Sequence, residues 1–195
     1  MAKKNQLTTS DYLQMSEYKK LLKKLHDDKK YIWELYARLA FCTALRASDV
    51  LSLTWGDILH KSSITKTEKK TKKTRKIPLN DNVQTRIEEL YIILKKPNPN
   101  GLIFQSPVTG LPYTIQYLNR IMKTWKDKYK IDIGNFSTHT FRKTFGRYVY
   151  DNSENKSESL LLLNRILNHS SIEITKVYIC IREDEINSVF DSINM

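Results

Sequence analysis

Cysteine, glycine and proline are all scarce in this chain, and each scarcity excludes something. Two cysteines in 195 residues, Cys42 and Cys180, are too few and too far apart for a disulfide framework, and His26, His60, His139 and His169 make no metal-ligand spacing with them. A reducing compartment and no metal are expected. Five Gly and five Pro, against 40% hydrophobic and 28% charged residues, exclude a collagenous, low-complexity or wholly disordered chain. No stretch approaches the ~18 consecutive apolar residues of a membrane span. The opening Met1-Ala2-Lys3-Lys4-Asn5-Gln6 lacks the apolar run of a secretory signal. A cytoplasmic protein without a membrane partner is the expectation. Acidic residues are in the minority, 21 against 33 Lys and Arg, and the net charge of +12 calls for a polyanionic partner.

What is present is mostly helical pattern. After a polar lead-in over 1–15, Ser16 is placed to cap a helix with Leu21, Leu22 and Leu25 on one side. A second helix starts near Tyr31 and runs toward Ala44-Leu45-Arg46, and a third follows from Ser48. Between Ile64 and Leu79 the pattern shortens to two β-tolerant runs around a lysine-rich tip, a β-hairpin. Asn80 or Asp81 then caps a helix carrying Val83, Ile87, Leu90 and Leu94, which ends in a loop at Pro97 to Gly101. Leu102-Ile103-Phe104 reads as a short strand, and Thr114 opens a further helix. Others fit Thr140 to Tyr150, Glu158 to Leu167 and Asp184 to Ile193. The fold class is mainly α (α+β), helical with a small antiparallel sheet. Ile186, Val189, Phe190 and Ile193 form an apolar stripe that suits packing in cis or docking on a second copy.

Two features carry chemistry. Lys66, Lys69, Lys70, Lys72, Lys73, Arg75 and Lys76 form a dense basic run opposed locally only by Glu68, either a solvated loop or a tongue that follows a phosphate backbone. His139 and Arg142 stand three apart, on one face of a helix.

The ordered set says more than its parts. The segment from Thr43-Ala44-Leu45-Arg46-Ala47-Ser48-Asp49-Val50 to Leu53-Thr54-Trp55-Gly56-Asp57-Ile58 resembles the first arginine box of the tyrosine recombinase (phage integrase) family. His139 and Arg142 match its H-x-x-R box. Leu167-Asn168-His169-Ser170-Ser171-Ile172 with Tyr178 matches its L-G-H-S-S…Y segment, Tyr178 following nine positions after His169. The resemblance covers roughly residues 10–190. It implies a catalytic set of Arg46, Lys70, His139, Arg142, His169 and Tyr178, with Tyr178 the nucleophile and Asp49 supporting the first arginine. Lys70 is chosen by counting eight residues back from Pro78. Lys66, Lys69, Lys72, Lys73, Arg75, Lys76 and Lys143 would contact DNA.

These residue types suit the chemistry. Attack on a phosphodiester builds negative charge on the non-bridging oxygens, which two guanidinium forks can hold without a metal. A phenol of ordinary pKa ~10 needs a base or cationic surroundings, which imidazoles and arginines provide. A lysine ammonium can protonate the departing 5′-hydroxyl. The phosphotyrosyl ester keeps much of the bond's free energy, so no cofactor or ATP is expected. The implied function is site-specific recombination of double-stranded DNA (integration, excision or inversion), by a homotetramer on two sites that is monomeric or weakly associated without DNA, in a bacterium, phage or mobile element. Type IB topoisomerase-like relaxation and a non-catalytic DNA-binding regulator are the alternatives.

Departures from the family pattern are mild. Asn168 stands where Gly is usual, which suits a left-handed helix end; Phe141 replaces Leu, Lys143 follows Arg142 where His is common, and Ala44 occupies a frequent Gly position. Most relatives carry a core-binding domain upstream, whereas about 15 residues precede the first helix here. The chain is therefore either a truncation or similar to short invertase-type members. The expected division is a lead-in over 1–15, a catalytic domain over 16–183 and a helical tail over 184–195.

Overall fold

In the computed structural model, residues 10–181 and 190–193 are described. The chain builds around one helix. α1 (Met15–Asp27) buries Tyr18, Leu21, Leu22 and Leu25 against α2 (Tyr31–Thr43), which buries residues on most of its circumference, Trp33, Leu35, Tyr36, Ala37, Leu39 and Ala40 among them. A helix apolar on so many sides must be covered, and α5 (Asp81–Ile93) and α7 (Thr140–Asp151) also pack on it. Between α2 and α5 lie two single turns, α3 (Ala47–Val50) and α4 (Trp55–Ile58), and the hairpin of β1 (Ser63–Thr67) and β2 (Thr74–Pro78). The strands pair antiparallel from Ser63 opposite Pro78 to Thr67 opposite Thr74, which leaves 68–73 as the tip. α6 (Ile115–Tyr129), α8 (Lys156–Leu167) and α9 (Ile172–Tyr178) complete the described elements.

Local chemistry sets most of the boundaries. Asn80, Thr114, Asn155 and Ser171 each accept a bond from the backbone N–H three residues on, capping α5, α6, α8 and α9. Thr54 and Asp57 form a reciprocal capping box on α4, which explains the acidic residue two places after the buried Trp55. Asn168 ends α8 in the left-handed conformation expected of it, at φ 51°.

Four expectations need correction. Ser16 does not cap α1; the helix starts one residue earlier and Gln14 at its N-cap makes no side-chain bond. The helix expected from Ser48 is one turn long and the chain restarts at α4. Leu102-Ile103-Phe104 is not a strand: Leu102 makes a single bridge to Thr54, while Ile103 and Phe104 are simply buried. The lead-in is partly body, because Leu13 is buried, its N–H donates to Thr144 Oγ1 at 2.9 Å, and Asp11 N–H donates to the Asn135 carbonyl. The tail helix expected over 184–193 lies largely outside the described residues, Ile186 and Val189 included; Phe190 and Ile193 are exposed.

Among the described residues the buried hydrophobic side chains form two clusters. The larger joins α1, α2, α5, α6 and the start of α7. The smaller consists of Ala44, Leu160, Leu163, Leu167 and Ile179 and holds α8 and α9 to the end of α2. At ~1.5–3 kcal/mol for each large side chain fully buried, a few contacts carry the whole α8–α9 arm. One depends on a glycine. A Cβ on Gly146 of α7 would lie 2.6 Å from Ile179 Cγ2, so only Gly lets the chain after Tyr178 come this close.

Candidate active site

The site begins where α2 stops. Thr43 Oγ1 donates to the Leu39 carbonyl at 2.6 Å and accepts from Leu45 N–H at 3.2 Å, and Ala44 turns left-handed at φ 49°. That turn swings the Ala44 carbonyl inward, where it accepts from the Arg142 guanidinium, and sends Arg46 out as the extended N-cap of α3. Arg142, 3% exposed, is held from its other side by the Leu167 carbonyl at the end of α8. Two backbone carbonyls thus fix one fork by geometry alone.

The tyrosine arm closes over it. Tyr178, the last residue of α9, is half-buried, with its hydroxyl 3.5 Å from His139 Nδ1, long for a hydrogen bond but in reach of one. The His169 ring stands edge-on to the Tyr178 ring, centroids 4.8 Å apart, and His169 Nδ1 lies 3.1 Å from Thr175 Oγ1. Thr175 Oγ1 also accepts from the Asn164 amide and donates to the Ser171 carbonyl. With its proton so used, the hydroxyl serves His169 as acceptor, placing the imidazole proton on Nδ1 and leaving Nε2 free to accept.

The hairpin tip supplies the third side, and with it a residue unforeseen as part of the site. Glu68 is fully buried. One carboxylate oxygen pairs with Arg46 and accepts from Thr71 Oγ1 at 2.8 Å; the other pairs with Arg75 at 3.0 Å. Arg75 also reaches the Thr43 carbonyl at 3.5 Å. The one acid in a lysine run was the available signal. Asp49, expected to support Arg46, is buried but accepts instead from Lys69 N–H at 2.9 Å, tying α3 to the tip. Its other oxygen has no partner among the described residues.

The remaining basic residues divide by exposure. Lys69, Lys70, Lys72, Lys73 and Lys76 are exposed, and the Lys73 ammonium donates to Asn168 Oδ1 at 3.2 Å, bridging the tip to the turn before His169. Lys66 is partly buried, its ammonium on the Ser52 carbonyl at 3.0 Å. Lys143 was expected at DNA. It is 2% exposed, donates to the Ser10 carbonyl at 2.6 Å and sits over the Tyr178 ring, 5.3 Å from its centroid. Its ammonium faces the interior and not a phosphate backbone.

The cluster's charge shows in its titration. Burial works against the Glu68 carboxylate, but bonds from Thr71 and Arg75 and the fields of Arg46 and Arg142 outweigh it and hold the group down at about 2. Burial, then Arg142, Arg46 and Lys70, push His169 down to about 4; burial and the same cations, with Lys143, lower His139. Both imidazoles are therefore biased to neutral at neutral pH, the form that can accept a proton. Burial raises the Tyr178 phenol, and Arg142 and Arg46 oppose that rise. Lys70 is close enough for its charge to be felt at both imidazoles. Among the described residues no group of three or more His, Cys, Asp and Glu could hold a metal ion, and no helix is long and apolar enough to cross a membrane.

Two guanidiniums, two neutral-biased imidazoles beside a phenol and a lysine whose charge is felt at both imidazoles are groups of the kind that attack on a phosphate ester can use. Residues 11–185 match the model of the phage integrase family. A probable integrase/recombinase, YoeC of Bacillus subtilis (strain 168), is 34% identical over 175 residues, covering 87% of this chain and 92% of that protein. The chain belongs to the phage integrase family, the tyrosine recombinases, a class of DNA strand-transferring enzymes. Its fold is similar to the catalytic domain of bacteriophage HP1 integrase, with a TM-score of 0.59 and 24% identity over 94% of this chain and 95% of that one. It is also similar to XerH recombinase in a post-cleavage complex with palindromic difH substrate, with a TM-score of 0.71 and 18% identity over 96% of this chain. The chain spans 54% of the XerH chain.

Proposed function

We propose that this recombinase cuts and rejoins double-stranded DNA at specific sites through Tyr178. The observation that carries the reading is the Tyr178 hydroxyl beside a neutral-biased His139, with the charges of Arg46 and Arg142 felt at both. The two guanidiniums hold the non-bridging oxygens of the scissile phosphate as charge builds on them. The phenol oxygen forms a bond to phosphorus, its proton passes to His139, and the bond from phosphorus to the 5′-oxygen breaks. His169, with Nε2 free, accepts a hydrogen bond from the reacting groups, and Lys70 gives the 5′-oxygen its proton. The product is a 3′-phosphotyrosyl ester and a free 5′-hydroxyl, and attack by a 5′-hydroxyl from another duplex reverses the step.

The exposed lysines of the hairpin follow the DNA backbone, which predicts a strong salt dependence of binding. Four strands must be cut to exchange two duplexes, so four copies act on two sites. The XerH complex with its DNA substrate supports DNA as the partner. No observation favours relaxation of supercoiled DNA as a second reading.

The test uses short duplexes with a randomised central block and a nick in one strand, so that the cleaved end diffuses away and the covalent adduct accumulates. An SDS-resistant protein–DNA adduct is expected, enriched for one sequence and absent from Tyr178→Phe. An adduct that persists in Tyr178→Phe overturns the assignment.

A further inference from the structure

The reaction needs two cationic groups from different parts of the chain in register, Arg46 ahead of α3 and Lys70 on the hairpin. Only a tertiary contact can set that register. Glu68 makes it. Its carboxylate joins Arg46 across 22 residues of sequence and Arg75 across seven, and it is fully buried, so the contact is shielded from water and from competing ions.

The same residue organises the turn that carries Lys70. Glu68 N–H donates to the Lys73 carbonyl at 3.0 Å, and its own carbonyl accepts from Lys72 N–H at 2.9 Å. The Thr71 hydroxyl donates to its carboxylate at 2.8 Å. Lys69 N–H is held by Asp49 at 2.9 Å. Lys70 is therefore flanked on both sides by anchored residues while its own side chain stays exposed. Glu68 occupies only one nitrogen of the Arg46 fork, leaving other donors for a phosphate.

We propose that Glu68 is a positioning residue of the reaction, one that locks the Arg46 guanidinium and the Lys70 turn in a single geometry before DNA arrives. Arg75 completes the lock by fixing the second carboxylate oxygen to β2 and to the Thr43 carbonyl. Three guanidiniums, those of Arg46, Arg75 and Arg142, gather here, and the buried anion offsets their mutual repulsion. The opposite role, a carboxylate plug that DNA must expel, would make removal of the charge accelerate cleavage.

This inference rests on the function proposed above, and the experiment separates the two. Single-turnover cleavage is measured on the duplex recovered from the library, carrying either the natural ester or a 5′-bridging sulfur at the scissile position. Sulfur leaves without a proton, so a loss that acts through Lys70 disappears on that substrate. For Glu68→Gln the natural ester is expected to react ~100-fold more slowly and the sulfur ester less than ~10-fold more slowly. Lys70→Ala shows the same rescue. Glu68→Asp, which keeps the charge one methylene back, shows the same selectivity with a smaller loss, and serves if the Gln variant does not fold. Equal losses on both substrates would reduce Glu68 to a general structural part and overturn the proposal, as would unchanged or faster cleavage. No adduct from the unaltered protein would remove the reading beneath it, and failure of sulfur to rescue Lys70→Ala would remove the lysine assignment alone.

Discussion

Two glutamates are fully buried among the described residues, and each gathers two guanidiniums. Glu34 in α2 takes Arg38 at 2.9 Å and Arg86 of α5 at 2.8 Å, and His26 of α1 at 2.9 Å, so its carboxylate stitches three helices together. Glu68 takes Arg46 and Arg75 and stitches a hairpin tip to the turn after α2. The chemistry is the same and the consequence is not. Around Glu34, Arg86 spends its other nitrogens on Glu89 at 2.6 Å and on the His26 ring at 2.9 Å. Around Glu68, Arg46 gives one nitrogen to the carboxylate, and its charge is felt at His139, His169 and Tyr178. A buried ion cluster becomes part of a site through what its cations still have to offer.

The largest effect that sharpens this contrast is on stability at Glu34. Glu34→Gln leaves Arg38, Arg86 and His26 without their shared anion, and since these groups are partly exposed the cost is about 3 kcal/mol. In a chain of this length that lowers the thermal midpoint by roughly 10 °C. Calorimetry should show that loss while the cleavage rate per folded molecule is kept, whereas at Glu68 loss of the charge should lower both stability and the cleavage rate per folded molecule. Loss of cleavage without loss of stability at Glu34 would erase the distinction.

A second variant asks whether the tyrosine arm is placed by packing where the hairpin is placed by charge. Gly146→Ala drives a methyl into Ile179. Overpacking of this kind costs ~1–3 kcal/mol, and displacement of the segment next to Tyr178 should slow cleavage by ~10- to 100-fold. Kinetics on the nicked duplex would show it, with equal loss on oxygen and sulfur esters because Lys70 is untouched.

The pH dependence separates the imidazoles from the carboxylates. His169 is pushed down to about 4 in the folded protein and has an ordinary value of ~6.5 when unfolded. The unfolded chain therefore binds the proton more readily, and stability falls as pH drops from 6.5 toward 4. Glu68 runs the other way in origin: its depressed value of about 2 adds stability above the ordinary carboxylate range, lost only as pH falls from ~4.5 toward 2. His169→Gln should make the fall of the thermal midpoint between pH 6.5 and 4.5 shallower, leaving the share that His139 contributes and the decline below 4.5 in place. In the unaltered protein, long-range proton–nitrogen NMR should show His169 neutral at pH 6 with its proton on Nδ1.

The smallest effect is at Ala44. Its left-handed backbone costs ~1–2 kcal/mol that Gly avoids, less the extra freedom Gly gives the unfolded chain. Loss of the buried Ala44 methyl costs ~0.8 kcal/mol against that gain, so Ala44→Gly should change stability by less than about 0.5 kcal/mol in denaturant titration.

Much of this molecule was legible in its residues. Apolar spacing gave α1, α2, α5 and α6, the β-tolerant runs gave the hairpin, and Asn80, Thr114 and Asn168 announced helix ends. α4 and α9 were not legible as helices, since four and seven residues are too short for a period to register. The ordered boxes pointed to Arg46, His139, Arg142, His169 and Tyr178, which the fold brings near one another. Lys143 and Arg75 read as surface charges and are instead held inward, and Glu68 read as a stray acid on a solvated loop. Burial of a charge depends on a partner far away in sequence, 22 residues in the case of Arg46 and Glu68, and no local pattern encodes that distance.

The central claim is that one phenol, on α9, forms the covalent bond to DNA. Protease digestion of the trapped adduct followed by mass spectrometry identifies the residue that carries the nucleotide remnant. The expected result is a phosphodiester on Tyr178, linked to the 3′ end of the cleaved strand. A remnant on Tyr148 or Tyr150, or linkage to a 5′ end, would contradict the account.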